Sequence, residues 1–315
     1  MRISRRLLST VGSPSSVNAN EIAFFSRLSQ TWWDESGELG LLHRMNPTRV
    51  GYIRQKVEEA MLDDAKTEGE GIRRVRSLGP KLLSGLDVLD VGCGGGLLSE
   101  SLARLGGRTL GIDAASSSIN VAKIHASQDP QLAELSPSVS STSGSLQYLN
   151  TTTEDLLASD HHTSQFDVVC AMEIVEHVEN PASFLKSCAD LVKPGGHLFL
   201  STISRTPLAH FLTITMAEDV LKLVSQGTHA YDKYVKPSEL ISLFRNDLGW
   251  IQPTHAPSSS LNVSHTQAEV RGMTYIPWSG TWILTPRGVP FELDCNYIFW
   301  ARKPVSAPPQ PNLRS

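Results

Sequence analysis

Residues 87–96, Asp-Val-Leu-Asp-Val-Gly-Cys-Gly-Gly-Gly, constrain this chain more than any other stretch. Leu86, Val88, Leu89 and Val91 form an apolar run of strand length, too short for a helix, and it ends at once in Gly92, Gly94, Gly95 and Gly96. A helical pattern follows from Leu97 to Leu105. A buried strand, a glycine turn and a helix N-terminus set backbone N–H groups over a crevice at the strand's carboxyl end, where open α/β sheets hold ligands. The expectation is an α/β fold with a ligand at this turn.

Spacing narrows the ligand. A dinucleotide fingerprint asks for a third glycine three places after the second, and Leu97 stands there. The pattern Gly92-x-Gly94-x-Gly96, with Asp90 just before it, resembles the first motif of S-adenosylmethionine-dependent methyltransferases. That donor has no pyrophosphate, so the glycines would serve close approach of the main chain to its amino-acid end. A nicotinamide or flavin enzyme is the competing reading.

Strand and helix patterns then alternate. Arg108 to Ile112 reads as a second strand ending at Asp113, an acid placed about 20 residues past the glycines to meet ribose hydroxyls. Ser116 to Ala126 is helical, and the low-complexity stretch 127–145 reads as a surface loop. Leu146 to Leu149 is a third strand, with Glu154 or Asp155 after it either meeting the adenine or serving as a plain helix N-terminal acid. Gln165 to Met172 is a fourth, and Pro181 to Val192 an amphipathic helix. Lys193-Pro194-Gly195-Gly196 reads as a turn, His197 to Ser201 as a fifth strand, and Pro237 to Arg245 as a helix. Trp250-Ile251 and Cys295 to Trp300 read as the last strands, with Gly272 to Tyr275, Trp278 and Trp282 closing over the pocket.

Directly after the fourth strand comes Glu173-Ile174-Val175-Glu176-His177-Val178. Wound as a helix, Glu173, Glu176 and His177 stand at i, i+3 and i+4, so two carboxylates and an imidazole share a face beside the crevice. That donor set suits Mg²⁺, Mn²⁺ or Zn²⁺ with positions left for substrate oxygens. A pocket lined by an acid and a histidine without metal is the equal alternative.

A net charge of −4 and a pI of about 6.2 over 315 residues give no support for nucleic acid as the main partner. The four cysteines are scattered without a Cys-x-x-Cys, as reduced core thiols would be. Residues 1–20 hold Arg2, Arg5 and Arg6, several serines and no acid before Glu21, the composition of a mitochondrial transit peptide. Residues 21–60, dense in aromatics with Arg and His, read as an N-terminal helical lid over the donor site or, equally, as a helix packed on the sheet, within one methyltransferase domain spanning 21–303. Within it Arg49 is the choice for a cation facing a ligand carboxylate. Residues 62–80 read as an exposed connection. Residues 205–236 read as a helical insertion whose apolar stripe and terminal lysines fit a membrane surface or a greasy substrate. Residues 304–315 form a Pro-rich tail.

Together, Trp32-Trp33-Asp34, Leu42-His43-Arg44, Asn46-Pro47-Thr48-Arg49, the Asp90–Gly96 turn, Met172–Val178, Lys193–Gly196 and Gly227-Thr228-His229 resemble the ubiquinone-biosynthesis O-methyltransferases. The resemblance implies a seven-stranded class I methyltransferase sheet with helices on both faces. It implies S-adenosylmethionine contacts at Arg49, Gly92, Gly94, Asp113 and Met172. It further implies a divalent metal, Mg²⁺ first, at Glu173, Glu176 and His177, with the last two in the catalytic role. The implied reaction is O-methylation of polyprenylated catechols, at the matrix side of the mitochondrial inner membrane and within a ubiquinone-biosynthesis complex. Ser204 and Ile276 stand where the family pattern has Asn. Two other classes stay open: a metal-free methyltransferase for a small soluble phenol or amine, and a non-catalytic donor-binding scaffold.

Overall fold

The structure, a computed structural model, describes residues 16, 18–135, 144–159, 165–220, 230–252 and 264–305. Most of the transit-peptide stretch, the Ser-rich part of 127–145, residues 221–229 of the insertion and most of the Pro-rich tail lie outside the described residues.

The first helix, α1 (Ala19–Leu28), is capped by Asn18, whose side chain accepts from the N–H groups of Asn20 and Glu21. A 3₁₀ turn (Ser29–Thr31), α2 (Gly40–Asp63) and α3 (Glu68–Leu78) follow. Helix α3 occupies the stretch read as an exposed connection; Thr67 caps it and its outer face is charged. The alternating part then runs β1 (Asp87–Val91), α4 (Leu97–Arg104), β2 (Arg108–Asp113), α5 (Ser116–Gln128), the one-turn α6 (Pro130–Ala133), β3 (Ser145–Asn150), α7 (Thr153–Ala158) and β4 (Phe166–Met172). After a 3₁₀ turn at Val175–His177 come α8 (Pro181–Leu191) and β5 (Val192–Ile203). The insertion contributes α9 (Pro207–His210) and a π-helical run (Phe211–Val220). Next stands α10 (Pro237–Ser242), and the chain closes through β6 (Ala268–Ile276), β7 (Thr281–Leu284) and β8 (Asn296–Arg302).

Among the described residues the sheet has eight strands in the order β3-β2-β1-β4-β5-β8-β6-β7. The first five are parallel, and β8 runs antiparallel between β5 and β6. The class I sheet is therefore present, with β7 as an added edge strand that pairs only with β6. The order turns back between β1 and β4, which puts a crevice at their carboxyl ends.

Each central strand is buried on both faces, because successive side chains point to opposite sides. In β1, Val88 packs with Tyr52, Ile53 and Val57 of α2, whereas Leu89 and Val91 pack with Phe184, Leu185 and Cys188 of α8. The Lys193–Gly196 turn lies inside β5 as a bulge, where the β4 register shifts between Phe166 and Val168 and Gly195 adopts φ +80°. Trp250 and Ile251 are core side chains on a bend rather than a strand. Trp278, expected over the pocket, sits 87 % exposed at the β6–β7 turn.

Candidate functional site

One cavity opens at the carboxyl ends of β1, β2 and β4, roofed by the N-terminal segment. The glycine turn forms its floor. Gly92 and Gly94 take φ +67° and +54°, and a β-carbon on Gly94 would stand 2.0 Å from the Trp32 ring. The indole of Trp32 thus lies on the main chain of Gly94 and Gly95, and Trp33 Nε1 donates to Gly95 O at 3.1 Å. Trp33 also stacks on His125, with ring centroids 3.4 Å apart.

Asp113 ends β2 with its carboxylate in the crevice. Its Oδ2 accepts from Gly94 N at 2.9 Å and its Oδ1 from Ala115 N at 2.8 Å. Burial nonetheless raises its pKa, the two backbone donors working against the rise. Asp90 is buried beneath the turn; burial pushes its carboxyl up to about 7, while Ser99 donates to Oδ2 at 2.5 Å.

Arg49 projects from α2 into the same cavity and is almost fully buried. Its Nη2 stands 3.2 Å from Glu173 Oε1, but neither Nε nor Nη2 has a hydrogen-bond partner, and Glu173 Oε1 has none either. Buried guanidinium donors left open toward a cavity are a receptor for a carboxylate. Met172, the last residue of β4, lines the wall between Arg49 and the turn that follows.

That turn departs from the expectation of a helix. Glu173 adopts φ +54°, a left-handed conformation that costs a non-glycine residue of order 1–3 kcal/mol, and its N–H is held by Ser201 O at 2.8 Å. Only a single 3₁₀ turn, Val175–His177, follows. The i, i+3, i+4 face therefore does not form, and the three side chains diverge. Glu173 faces Arg49 in the cavity. Glu176 turns into the core, where Thr202 Oγ1 donates to its Oε2 at 2.7 Å. Burial, then the negative charge of Glu173, raise the Glu176 carboxyl to about 7.

His177 turns toward α1. Its Nδ1 stands 3.0 Å from Glu21 Oε2, Phe25 packs edge-on at 5.0 Å, and Lys233 Nζ holds the other Glu21 oxygen at 2.9 Å. Burial depresses the imidazole, yet the Glu21 hydrogen bond and the charges of Glu176, Glu21 and Glu173 outweigh it and leave its pKa raised. The same hydrogen bond, with Lys233 adding to it against burial, brings Glu21 down to about 2. Among the described residues no three His, Cys, Asp or Glu side chains converge as a metal-holding group.

Residues 64–250 match the family model described as a methyltransferase domain. The chain is 40 % identical over 293 residues to the mitochondrial ubiquinone biosynthesis O-methyltransferase of Schizosaccharomyces pombe, covering 93 % of this chain and 89 % of that protein. The chain belongs to the ubiquinone biosynthesis O-methyltransferase family. Bacterial members agree: identity is 37 % to the Brucella melitensis protein, over 92 % of this chain and 98 % of that one. It is 38 % to the Leptothrix cholodnii protein, over 90 % and 96 %.

Of the site residues the sequence led us to expect, Arg49, Gly92, Asp113, Met172, Glu173 and His177 meet around one cavity. Gly94 and Glu176 do not line it. Gly94 acts one layer back, donating to Asp113 and admitting Trp32. Glu21 was missed as a site residue. Its one sequence signal is that it is the chain's first acid, set in a segment of aromatics.

Proposed function

We propose that this ubiquinone-biosynthesis family member transfers the methyl group of S-adenosylmethionine to a catechol hydroxyl of polyprenylated ubiquinone precursors, the dihydroxy-polyprenylbenzoate and demethylubiquinol. One observation carries the reading: the open Nε and Nη2 of Arg49 lie in the same cavity as the Asp113 carboxylate and the Glu173–His177 turn. Arg49 would bind the donor's carboxylate, Asp113 its ribose hydroxyls, and Met172 and Gly92 would pack along its length. The sulfonium methyl is thereby aimed at the turn after β4, where the acceptor oxygen is placed.

Methyl transfer from a sulfonium is a direct displacement and needs the phenol as its anion. A phenol titrates near pH 10, so about one part in a thousand is ionised at neutral pH, a shortfall of roughly 4 kcal/mol. His177 lines the cavity and would either meet that proton or serve as a ligand to an ion, not both through the same nitrogen. With Nδ1 engaged by Glu21, Nε2 is the nitrogen left for the acceptor side. Trp32 and Phe25 on the roof exclude water from the reacting oxygen.

The family resemblance would add a divalent cation, Mg²⁺ before Mn²⁺ or Zn²⁺, at Glu173, Glu176 and His177. Glu173 keeps a buried oxygen without a hydrogen bond, but Glu176 turns into the core and His177 toward Glu21. These side chains do not converge on an ion, and no step of the transfer is routed through one.

A mitochondrial site is supported by the arginines of residues 1–20 and by the mitochondrial S. pombe relative, and the reading places the protein peripherally on the matrix side of the inner membrane. Among the described residues no helix is long and apolar enough to cross a membrane. Phe211 and Leu212 of the insertion are about half exposed, which fits contact with a lipid surface or an isoprenoid tail. Transfer of labelled methyl to a polyprenylated catechol, with and without added divalent ion, tests the whole reading. Label appearing only on a small soluble phenol, at full rate in chelator, overturns it.

A further inference from the structure

The acceptor side of the cavity is completed by a residue from the far N-terminal end of the fold. Glu21 stands on the first turn of α1, 156 residues away from His177 in sequence. Its two oxygens are divided between two partners: Oε2 meets His177 Nδ1 at 3.0 Å, and Oε1 accepts from Lys233 Nζ at 2.9 Å. Side-chain exposures of 26 % for Glu21 and 12 % for His177 place this pair at the inner edge of the cavity rather than on open surface.

The clasp is geometrically over-determined. Asn18 both caps α1 and donates to the Glu179 side chain, and Glu179 N donates to Ser16 O at 2.9 Å. Phe25, one helical turn after Glu21, packs edge-on against the imidazole at 5.0 Å. The rotation of the His177 ring is thus set from the side by Phe25 and from the end by Glu21, while Lys233 keeps the Glu21 carboxylate from turning away.

We propose that Glu21 is a positioning residue for His177: it accepts a hydrogen bond from Nδ1–H and so fixes the tautomer and the turn of the ring, leaving Nε2 to face the acceptor side of the cavity. An imidazole whose one nitrogen donates to a carboxylate has its tautomer and its orientation set together. The lid is then part of the reaction centre, because the centre is incomplete until α1 is seated. This rests on the methyl-transfer reading above. It holds whether Nε2 meets the catechol proton or an ion.

A double-mutant cycle tests it, read by single-turnover transfer of labelled methyl to a polyprenylated catechol and by donor affinity. Glu21→Ala is expected to lower the transfer rate about 10–100-fold, with donor affinity within about twofold of wild type. In a His177→Ala background the same change is expected to cost nothing further, since there is no imidazole left to hold. In alkaline buffer, where the ring is neutral, nitrogen NMR is expected to find the His177 proton on Nδ1 in the wild type and on Nε2 in Glu21→Ala. An equal loss in both backgrounds, no loss in the first, or an unchanged tautomer overturns the assignment. If the Glu21→Ala variant fails to fold, Glu21→Leu, which has no acceptor, takes its place in the cycle with the same outcomes. Failure of the underlying reading is separate: wild-type protein would then transfer no label at all.

Discussion

Arg49 and Glu173 face each other across 3.2 Å at the inner wall of the cavity, yet the guanidinium keeps two buried nitrogens without a hydrogen-bond acceptor. In the proposed reading the pair is half of a binding site, which the donor's carboxylate would complete. Replacing Arg49 by Met should remove charge-assisted hydrogen bonds of roughly 1.5–3 kcal/mol, which is about 10–150-fold in donor affinity. Calorimetric titration with S-adenosylhomocysteine checks this; undiminished binding would assign the open nitrogens to something else.

Gly94 places the Trp32 indole. A β-carbon there would lie 2.0 Å from the ring, and the backbone stands at φ +54°. Gly94→Ala should therefore dislodge Trp32, cost about 1–3 kcal/mol of stability and weaken donor binding. Indole fluorescence and the denaturation midpoint report the two effects. A variant with a native spectrum and unchanged stability would show that the turn tolerates a side chain.

Glu176 does not line the cavity, but the charge of Glu173 raises its carboxyl and its own charge raises His177. Glu176→Gln keeps the Thr202 contact sterically and removes that charge. Turnover should drop about 10–100-fold while donor affinity holds. Unchanged turnover with divalent ion still bound would remove Glu176 from the reaction.

His197 supplies a pH test of the fold itself. It is buried in β5, where Trp300 Nε1 donates to its Nδ1 at 3.1 Å, and burial, with the Arg302 charge adding, holds its pKa at about 3. An unfolded histidine titrates near 6.5. Between those values the unfolded chain binds a proton that the folded chain refuses, so stability is full above about pH 6.5 and is lost as pH falls, approaching roughly 1.4 kcal/mol per unit. Urea midpoints at pH 7, 6 and 5 should fall less steeply in His197→Gln than in wild type. Parallel slopes would mean that other groups carry the acid sensitivity.

Much of this was legible in the chain. The strand–glycine–helix pattern at 87–105, the acid ending β2 and the two-sided burial of β1 and β4 are local or period-two signals, and a parallel α/β sheet repeats them at each unit. Less legible was everything that depends on where separate segments meet. The edge strand β7 is four residues of modest pattern. The Trp250–Ile251 pair is as apolar as a strand because it is core, not because it pairs.

What the amino-acid sequence determined by itself was the sheet, the crevice at its switch point and the residue types around it, because backbone periodicity and glycine stereochemistry act over a few neighbours. What only the tertiary structure decided was direction. The left-handed backbone at Glu173 sends Glu173, Glu176 and His177 three ways, and Glu21 arrives from the N-terminal helix to claim one nitrogen of the imidazole. Spacing along a chain says which side chains can share a helix face. Whether the segment is a helix is settled by the hydrogen bonds and ion pairs that packing offers it.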